Sequence, residues 1–237
     1  MRERRNRGWP ILMLVAVVGC DAAGPADLVE RRFDFLLGDQ GWVAGFADYP
    51  VGGEEAMALV VDRRPLPEEL DEQGEAVYIA GLNTSDDLFM FLKRRIDGLE
   101  PDRAYRLTIR IEMATNAPTG CPGIGGAPGE SVYVKAGGAP VEPVPDVVAE
   151  AGTDLWRMNV DKGQQAAGGE HARVIGDVAN GLTDCLDTPY RRKEVRGSDI
   201  PVTSGADGSL WLLVGTDSGF EGLTALYYLA IDVVLEW

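Results

Sequence analysis

Four segments of the chain concentrate the carboxylate, amide and hydroxyl groups that can bind a polar ligand. They are residues 83–87, 159–164, 177–181 and 216–221. Loops carry binding groups more often than strands do, and oxygen-rich side chains beside aromatic faces suit a sugar or a calcium ion. The same residue types also make ordinary turns, so a purely structural role is the alternative for each loop. Our candidate ligand-binding residues, from these loops and the strand beside them, are Asp86, Asp87, Trp156, Asn159, Asp161, Lys162, Asp217 and Glu221.

Catalysis has less support in the sequence. The only histidine, His171, lies in a polar, glycine-rich loop, and the residues around Ser131 lack the trailing glycine of a nucleophile elbow. A single histidine also argues against a zinc site. The Gly-rich residues 120–129 lack the spacing and the Lys-Ser/Thr pair of a phosphate-binding loop, so we expect an ordered loop held by Cys121. Glycoside hydrolysis needs two opposed carboxylates, and it stays open as an alternative function because acids are abundant.

The elements that must position these groups are β-strands. Residues 105–113 and 227–236 alternate between apolar and polar side chains, and residues 210–214 form a continuous apolar run after an Asp-Gly turn. Short helices are predicted at residues 22–32 and 144–151. Many short strands, separated by 30 Gly and 14 Pro, favour one all-β domain over residues 33–237, an antiparallel β-sandwich. Further strands are predicted at residues 42–46, 57–61, 76–80, 88–95, 132–135, 155–160, 173–178 and 193–195.

Three pieces of the chain resemble jelly-roll carbohydrate-binding modules. Gly98-Leu99-Glu100-Pro101-Asp102-Arg103-Ala104-Tyr105 is similar to their Gly-Leu-x-Pro-x-x-x-Tyr turn, in which the tyrosine opens a strand with its ring in the core. Phe33-Asp34-Phe35 with Gly41-Trp42 resembles their opening strands, and residues 228–233 resemble their closing strand. The resemblance implies a jelly-roll-like sandwich that binds carbohydrate without catalysis. Residues 114–205 match no part of such a module.

The N-terminus predicts export. Four arginines within residues 2–7 precede an apolar run at residues 9–18, which is about half the length that a membrane-spanning helix needs. Val17-Val18-Gly19-Cys20 resembles the lipobox of bacterial lipoproteins, a family in which the cysteine is cut free and lipidated. The whole chain also looks like a group of uncharacterised bacterial lipoproteins. We therefore expect a signal peptide at residues 1–19, lipid on Cys20 and a tether at residues 20–32, with an ordinary secretory signal as the alternative.

The cysteines then divide into one lipid site and one pair. With Cys20 assigned to lipid, Cys121 and Cys185 are left in an oxidising compartment, where disulfides form and persist. We predict a Cys121–Cys185 disulfide, and two free thiols are the alternative.

The net charge of the chain limits the kinds of partner that it can bind. The precursor has a net charge of −16, and removing residues 1–19 takes away four arginines and one glutamate. Such an acidic protein is a poor match for nucleic acid. We expect a lipid-anchored, extracytoplasmic domain that binds carbohydrate or another polar surface ligand, and calcium is the candidate structural ion. The alternatives are a glycan-acting hydrolase and an assembly lipoprotein that binds an envelope protein; which membrane carries the anchor stays open.

Overall fold

A computed structural model describes residues 28–84 and 87–237, so Cys20 and Asp86 lie outside the described residues. No helix in those two ranges is long and apolar enough to cross a membrane. Single 3₁₀ turns occupy Phe35–Leu37 and Glu68–Leu70. The strands are β1 (Leu28–Asp34), β2 (Val43–Ala47), β3 (Tyr49–Pro50), β4 (Val60–Pro65), β5 (Glu75–Leu82), β6 (Leu88–Ile96), β7 (Ala104–Thr115), β8 (Val132–Ala139), β9 (Pro145–Glu150), β10 (Thr153–Met158), β11 (Ala172–Asp177), β12 (Arg191–Thr203), β13 (Leu210–Ser218) and β14 (Leu223–Glu236).

Two antiparallel sheets form the sandwich. Sheet A has the order β12-β7-β14-β5-β4, and β1 joins it by pairing with the second half of β14. Sheet B has the order β11-β8-β13-β6-β2, and a small sheet C has the order β3-β10-β9. Strands β5 to β8 and β12 to β14 alternate between sheets A and B, as in a jelly roll. The predicted all-β antiparallel sandwich is confirmed.

The main core lies between sheets A and B, and period-two alternation fills it. On β7, residues 105, 107, 109, 111 and 113 face the core and are at most 2% exposed. Tyr105 opens this strand, and its hydroxyl accepts a hydrogen bond from the backbone N–H of Glu100 at 2.9 Å. The turn at residues 98–105 therefore buries its tyrosine as expected.

The outer face of sheet B is also buried. Phe89 and Phe91 on β6 and Leu213 on β13 point away from the main core, and a second apolar cluster covers them. Val160 and Met158 in that cluster come from the segment that links β8 to β11. The segment that resembled no known module thus folds back over sheet B and closes a face that would otherwise be open.

The structure corrects both predicted helices and one strand. Residues 28–34 form β1, so five residues assigned to the tether belong to sheet A. Residues 145–150 form β9, which turns into β10 at Ala151 and Gly152, both with positive φ as in a type I′ hairpin turn. The predicted strand at residues 57–61 lies later, at Val60–Pro65, because residues 54–58 form a turn that buries the Met57 side chain.

The predicted disulfide is confirmed. Cys121 and Cys185 are bonded, with their Cα atoms 5.7 Å apart. The bond fixes the Gly-rich loop at residues 120–129 to the loop that precedes β12.

Candidate functional site

A buried charge network lies where residues 140–171, the segment between β8 and β11 that we call the covering segment, meet sheet B. Asp217 on β13 is fully buried, and its Oδ2 atom lies 2.8 Å from Nζ of Lys135 and 2.7 Å from Nζ of Lys162. Lys135 comes from β8 and is also fully buried, whereas Lys162 belongs to the covering segment. Lys135 donates two further hydrogen bonds to the carbonyls of Lys162 and Ala167. The network therefore fastens the covering segment to the sheet.

The network continues from Lys162 towards the surface. Its Nζ lies 2.7 Å from Oδ2 of Asp48, the residue that follows β2. Oδ1 of Asp48 accepts a hydrogen bond from Nη1 of Arg157 on β10, and the same nitrogen donates to Oδ2 of Asp87 at 2.6 Å. Nε and Nη2 of Arg157 donate to the two carboxylate oxygens of Glu150, the last residue of β9. Arg157 thus joins three carboxylates that come from three separate parts of the chain.

A cleft opens above Arg157. Its volume is about 420 Å³, and its walls are polar or charged along most of their length. Asp161 lies on its rim and accepts hydrogen bonds from the backbone N–H groups of Gly163 and Glu170, which fix the loop. The lining residues are Asp48, Asp87, Glu150, Arg157, Met158, Val160, Asp161, Lys162, Gly163 and Gln164.

Burial and pairing shift the pKa values of these groups in different directions. Burial raises the pKa of Asp87 to about 6, although the hydrogen bond from Arg157 opposes it. Burial also lowers the pKa of Lys135, and Asp217 offsets only part of that effect. For Lys162, burial lowers the pKa, but the combined attraction of Asp217 and Asp48 is greater, so the pKa is raised. Burial therefore brings the pKa of the Asp87 carboxyl group in the cleft towards neutrality.

Four of the predicted ligand-binding residues meet at this site. Asp87, Asp161 and Lys162 line the cleft, and Asp217 lies beneath Lys162. They approach one another because strand β13 ends beside the start of β6, where Ser218 pairs with Leu88. Asn83, at the end of β5, donates to the carbonyls of Ser218 and Phe220 and accepts from the N–H of Asp87, which positions the loop.

Three other predicted residues lie elsewhere. Trp156 on β10 is half-buried and packs against the main core. Asn159 bridges the two ends of the β9–β10 hairpin, accepting from the N–H of Val144 and donating to the carbonyl of Glu142. Glu221 is exposed and lies beside the Gly-rich loop, where its N–H donates to the carbonyl of Ile124.

Four residues of the site were not predicted from the sequence. Asp48, Glu150 and Arg157 flank or occupy strands, and no loop pattern marks them. Lys135 stands between Val134 and Ala136 on an apolar strand. A charged residue at such a position usually indicates the solvent-exposed face of the strand. A lysine within an otherwise apolar strand was the signal that could have indicated the network.

Metal and nucleophile chemistry find little support here. No group of three or more His, Cys, Asp or Glu that could hold a metal ion occurs within residues 28–84 and 87–237. Arg157 occupies the position between Asp48, Asp87 and Glu150 that a cation would take. His171 Nδ1 accepts a hydrogen bond from the N–H of Asp161 and Ser131 Oγ accepts one from the N–H of Ala127, so neither is paired as a nucleophile and base would be.

Comparisons with known proteins find distant structural similarities. No protein-family model and no curated protein matches the chain. Similar solved structures include a carbohydrate-binding module that recognises mannan, with 11% identity and a TM-score of 0.39 over 90% of this chain and 100% of the other. Another is the family 11 carbohydrate-binding module of Clostridium thermocellum in complex with a mixed-linked tetrasaccharide, with 9% identity and a TM-score of 0.33 over 87% and 95%.

A third similar structure is the K1 adhesin domain of Lys-gingipain from Porphyromonas gingivalis, with 10% identity and a TM-score of 0.35 over 86% of this chain and 97% of the other. Carbohydrate-binding modules thus stand among the similar structures. At these identities and TM-scores the similarities assign neither a family nor a ligand to this chain.

Proposed function

We propose that the domain binds carbohydrate, or a ligand equally rich in hydroxyl groups, in the cleft above Arg157, without catalysing a reaction. The observation that carries this proposal is an unused hydrogen-bond donor and an unpaired acceptor on two side chains, Arg157 and Asp87, that line the same cleft. A guanidinium has five N–H groups, and hydrogen bonds to Glu150, Asp48 and Asp87 occupy four of those on Arg157. Oδ1 of Asp87 is a buried atom that accepts no hydrogen bond from the described residues.

A polyol matches these two groups because each of its hydroxyl groups can donate and accept a hydrogen bond. An ammonium group would leave the Arg157 N–H unused, and a carboxylate would leave Asp87 Oδ1 unpaired and would face the acids of the cleft. The ion pairs to Arg157 hold the site in place before a ligand arrives, which reduces the entropy lost on binding. A neutral polyol is therefore the ligand class that the cleft fits best.

The same contacts favour binding over hydrolysis. A glycosidase needs one carboxyl group as a general acid and a second that acts as nucleophile or base. Glu150 and Asp48 are both held by Arg157, and Asp161 is held by two backbone N–H groups. These carboxylates are engaged in holding the fold, which supports a binding role.

Anchoring is a second part of the proposal. We infer from Val17-Val18-Gly19-Cys20 that Cys20 carries lipid and that the domain lies outside the cytoplasm. Several acyl chains on one residue anchor stably, whereas a single chain holds only marginally. Mass spectrometry of the purified protein should find the N-terminus at a lipid-modified Cys20, and Cys20→Ser should leave the membrane fraction. An unmodified residue 20 after cleavage would support an ordinary secretory signal instead.

A glycan array, with calcium and with chelator, tests the binding proposal. We expect selective binding to neutral glycans under both conditions, and at least tenfold weaker binding by Asp87→Asn. Asp207→Asn is the matched control, because Asp207 pairs with Arg95 at the other end of β13. Binding that Asp87→Asn leaves unchanged would exclude this cleft, and no glycan binding would overturn the proposal. Glycan hydrolysis that is lost in Asp87→Asn would favour the hydrolase alternative.

A further inference from the structure

A second pocket lies beside the disulfide, at the same end of the sandwich. It has a volume of about 250 Å³ and is built from three segments: the end of β7 with the Gly-rich loop, the loop before β12, and the start of β14. Cys121 and Cys185 both line it, so their bond joins two of its walls. The pocket is separate from the cleft above Arg157, because the two share no lining residue.

The pocket is uncharged. None of its lining residues in the described chain is Asp, Glu, Lys, Arg or His, although a quarter of the whole chain is charged. Its apolar surface comes from prolines, the ring of Phe220 and Leu223, whose side chain is 61% exposed. Gly123 and Gly222 flank the Phe220 ring so closely that a Cβ atom at either position would overlap it. The ring is therefore held firmly at the edge of the pocket.

Polar groups in the pocket have no partner in the described protein. Oγ1 of Thr224 is buried and makes no hydrogen bond there, and Thr224 as a whole is only 6% exposed. No described residue bonds the side chains of the half-buried Asn116 and Thr188, which also line the pocket. An unpaired buried hydroxyl costs about 1–3 kcal/mol. The pocket thus offers hydrogen-bonding groups that a ligand would satisfy.

We propose that this pocket binds one neutral sugar residue. A pyranose ring has apolar C–H faces that suit Phe220 and the prolines, and hydroxyl groups that suit Thr224 and Asn116. Charged sugars gain nothing from an uncharged wall and lose their hydration. An apolar side chain of a protein partner would fill the volume but leave the Thr224 hydroxyl unpaired. The inference shares its ligand class with the proposed function but rests on different residues.

The test is a titration with neutral monosaccharides, followed by protein and ligand NMR. We expect at least one neutral hexose to perturb Phe220 and Thr224, and Thr224→Val to weaken its binding at least tenfold. Thr216→Val is the matched control, since Thr216 is also buried with an unpaired Oγ1 but lies outside this pocket. Both variants remove an unpaired hydroxyl, so neither should lower the melting temperature.

The outcomes separate this pocket from the cleft. Asp87→Asn should leave monosaccharide binding at Thr224 unchanged, and reduction of Cys121–Cys185 should abolish it. Loss of glycan binding in Asp87→Asn, with hexose binding retained at Thr224, would support both sites. Failure of every monosaccharide to perturb Phe220 and Thr224, or unchanged affinity in Thr224→Val, would overturn the inference. Tighter binding of a leucine- or proline-containing tripeptide by Thr224→Val would assign the pocket to an apolar side chain instead and also overturn it.

Discussion

Replacing Asp217 by Asn should destabilise the domain strongly. Asp217 and Lys135 are fully buried and Lys162 is 6% exposed, and the carboxylate lies 2.7–2.8 Å from both ammonium groups. The substitution keeps the shape of the side chain but leaves Lys135 without a counter-charge. Removing one partner of a buried ion pair costs about 3–5 kcal/mol. In a domain of this size each kcal/mol lowers Tm by about 2–4 °C, so we expect Tm to fall by roughly 6–20 °C.

Thermal and urea unfolding of the purified protein would measure this loss. Asp39→Asn is the matched control, because Asp39 pairs with Arg63 while 59% of its side chain is exposed. Exposed pairs contribute about 0–1 kcal/mol, so the control should stay close to wild type. The double replacement Lys135→Met with Asp217→Leu should recover part of the loss, since Lys162 keeps Asp48 as its partner. An Asp217→Asn variant within about 1 kcal/mol of wild type would show that the network is not buried as described.

Three further predictions concern titration, the disulfide and backbone packing. Because burial raises the pKa of Asp87 to about 6 in the folded state, the folded protein holds this proton more tightly than the unfolded chain. Relative to Asp87→Asn, the wild type should therefore lose up to about 3 kcal/mol in unfolding free energy as pH rises from about 4 to 6, with no further change above. Urea unfolding of both proteins would measure this, and a difference in unfolding free energy that stays constant across that pH range would contradict it. The double variant Cys121→Ser with Cys185→Ser should lose about 4 kcal/mol, because the bond closes a separation of 64 residues; equal Tm with and without reductant in the wild type would argue against it. Gly137→Ala should lower the free energy of unfolding by about 1–3 kcal/mol, because its Cβ atom would overlap the backbone of His171 and Ala172 at the start of β11. Gly138→Ala should cost less, because its Cβ atom would mainly contact the flexible side chain of Leu210. Scanning calorimetry of both variants would measure the difference.

Local alternation predicted most of the sandwich, and long-range pairing decided the rest. β7 buries every second residue as far as Met113, and β14 does so from Ile231 onward, so a period of two is visible in these parts of the sequence. β1 buries only Val29 and Phe33 and exposes the charged residues between them, so no period of two appears. It is a strand because β14 offers a free edge there, which residues 28–34 alone do not reveal. β9 is exposed along its length and depends on the hairpin with β10 in the same way.

The residues of the candidate site were likewise predicted where the local sequence marks them and missed where long-range pairing decides their position. Asp87, Asp161 and Asp217 stand in loops or at strand ends, where polar residues attract attention. Lys135 was missed because strand alternation assigns it to a wet face, and only the covering segment makes that face buried. Arg157 lies on a strand of sheet C, and its three carboxylate partners are between 7 and 109 residues away in sequence. Pairings at that separation depend on topology, which a single sequence does not specify.

The pairing of β1 with β14 has a mechanical consequence for a domain held at its N-terminus. Leu28 pairs with Glu236, whereas the start of β14 at Leu223, which lines the pocket beside the disulfide, lies roughly 40 Å away along the strand. If Cys20 is anchored as proposed, a ligand that pulls on this pocket would draw β1 along its own axis. Antiparallel hydrogen bonds run perpendicular to the strands, so that pull loads the whole ladder from Leu28 to Asp34 in shear. Under that load β1 would resist the force as a unit, whereas a pull across the sheet would break its hydrogen bonds one pair at a time.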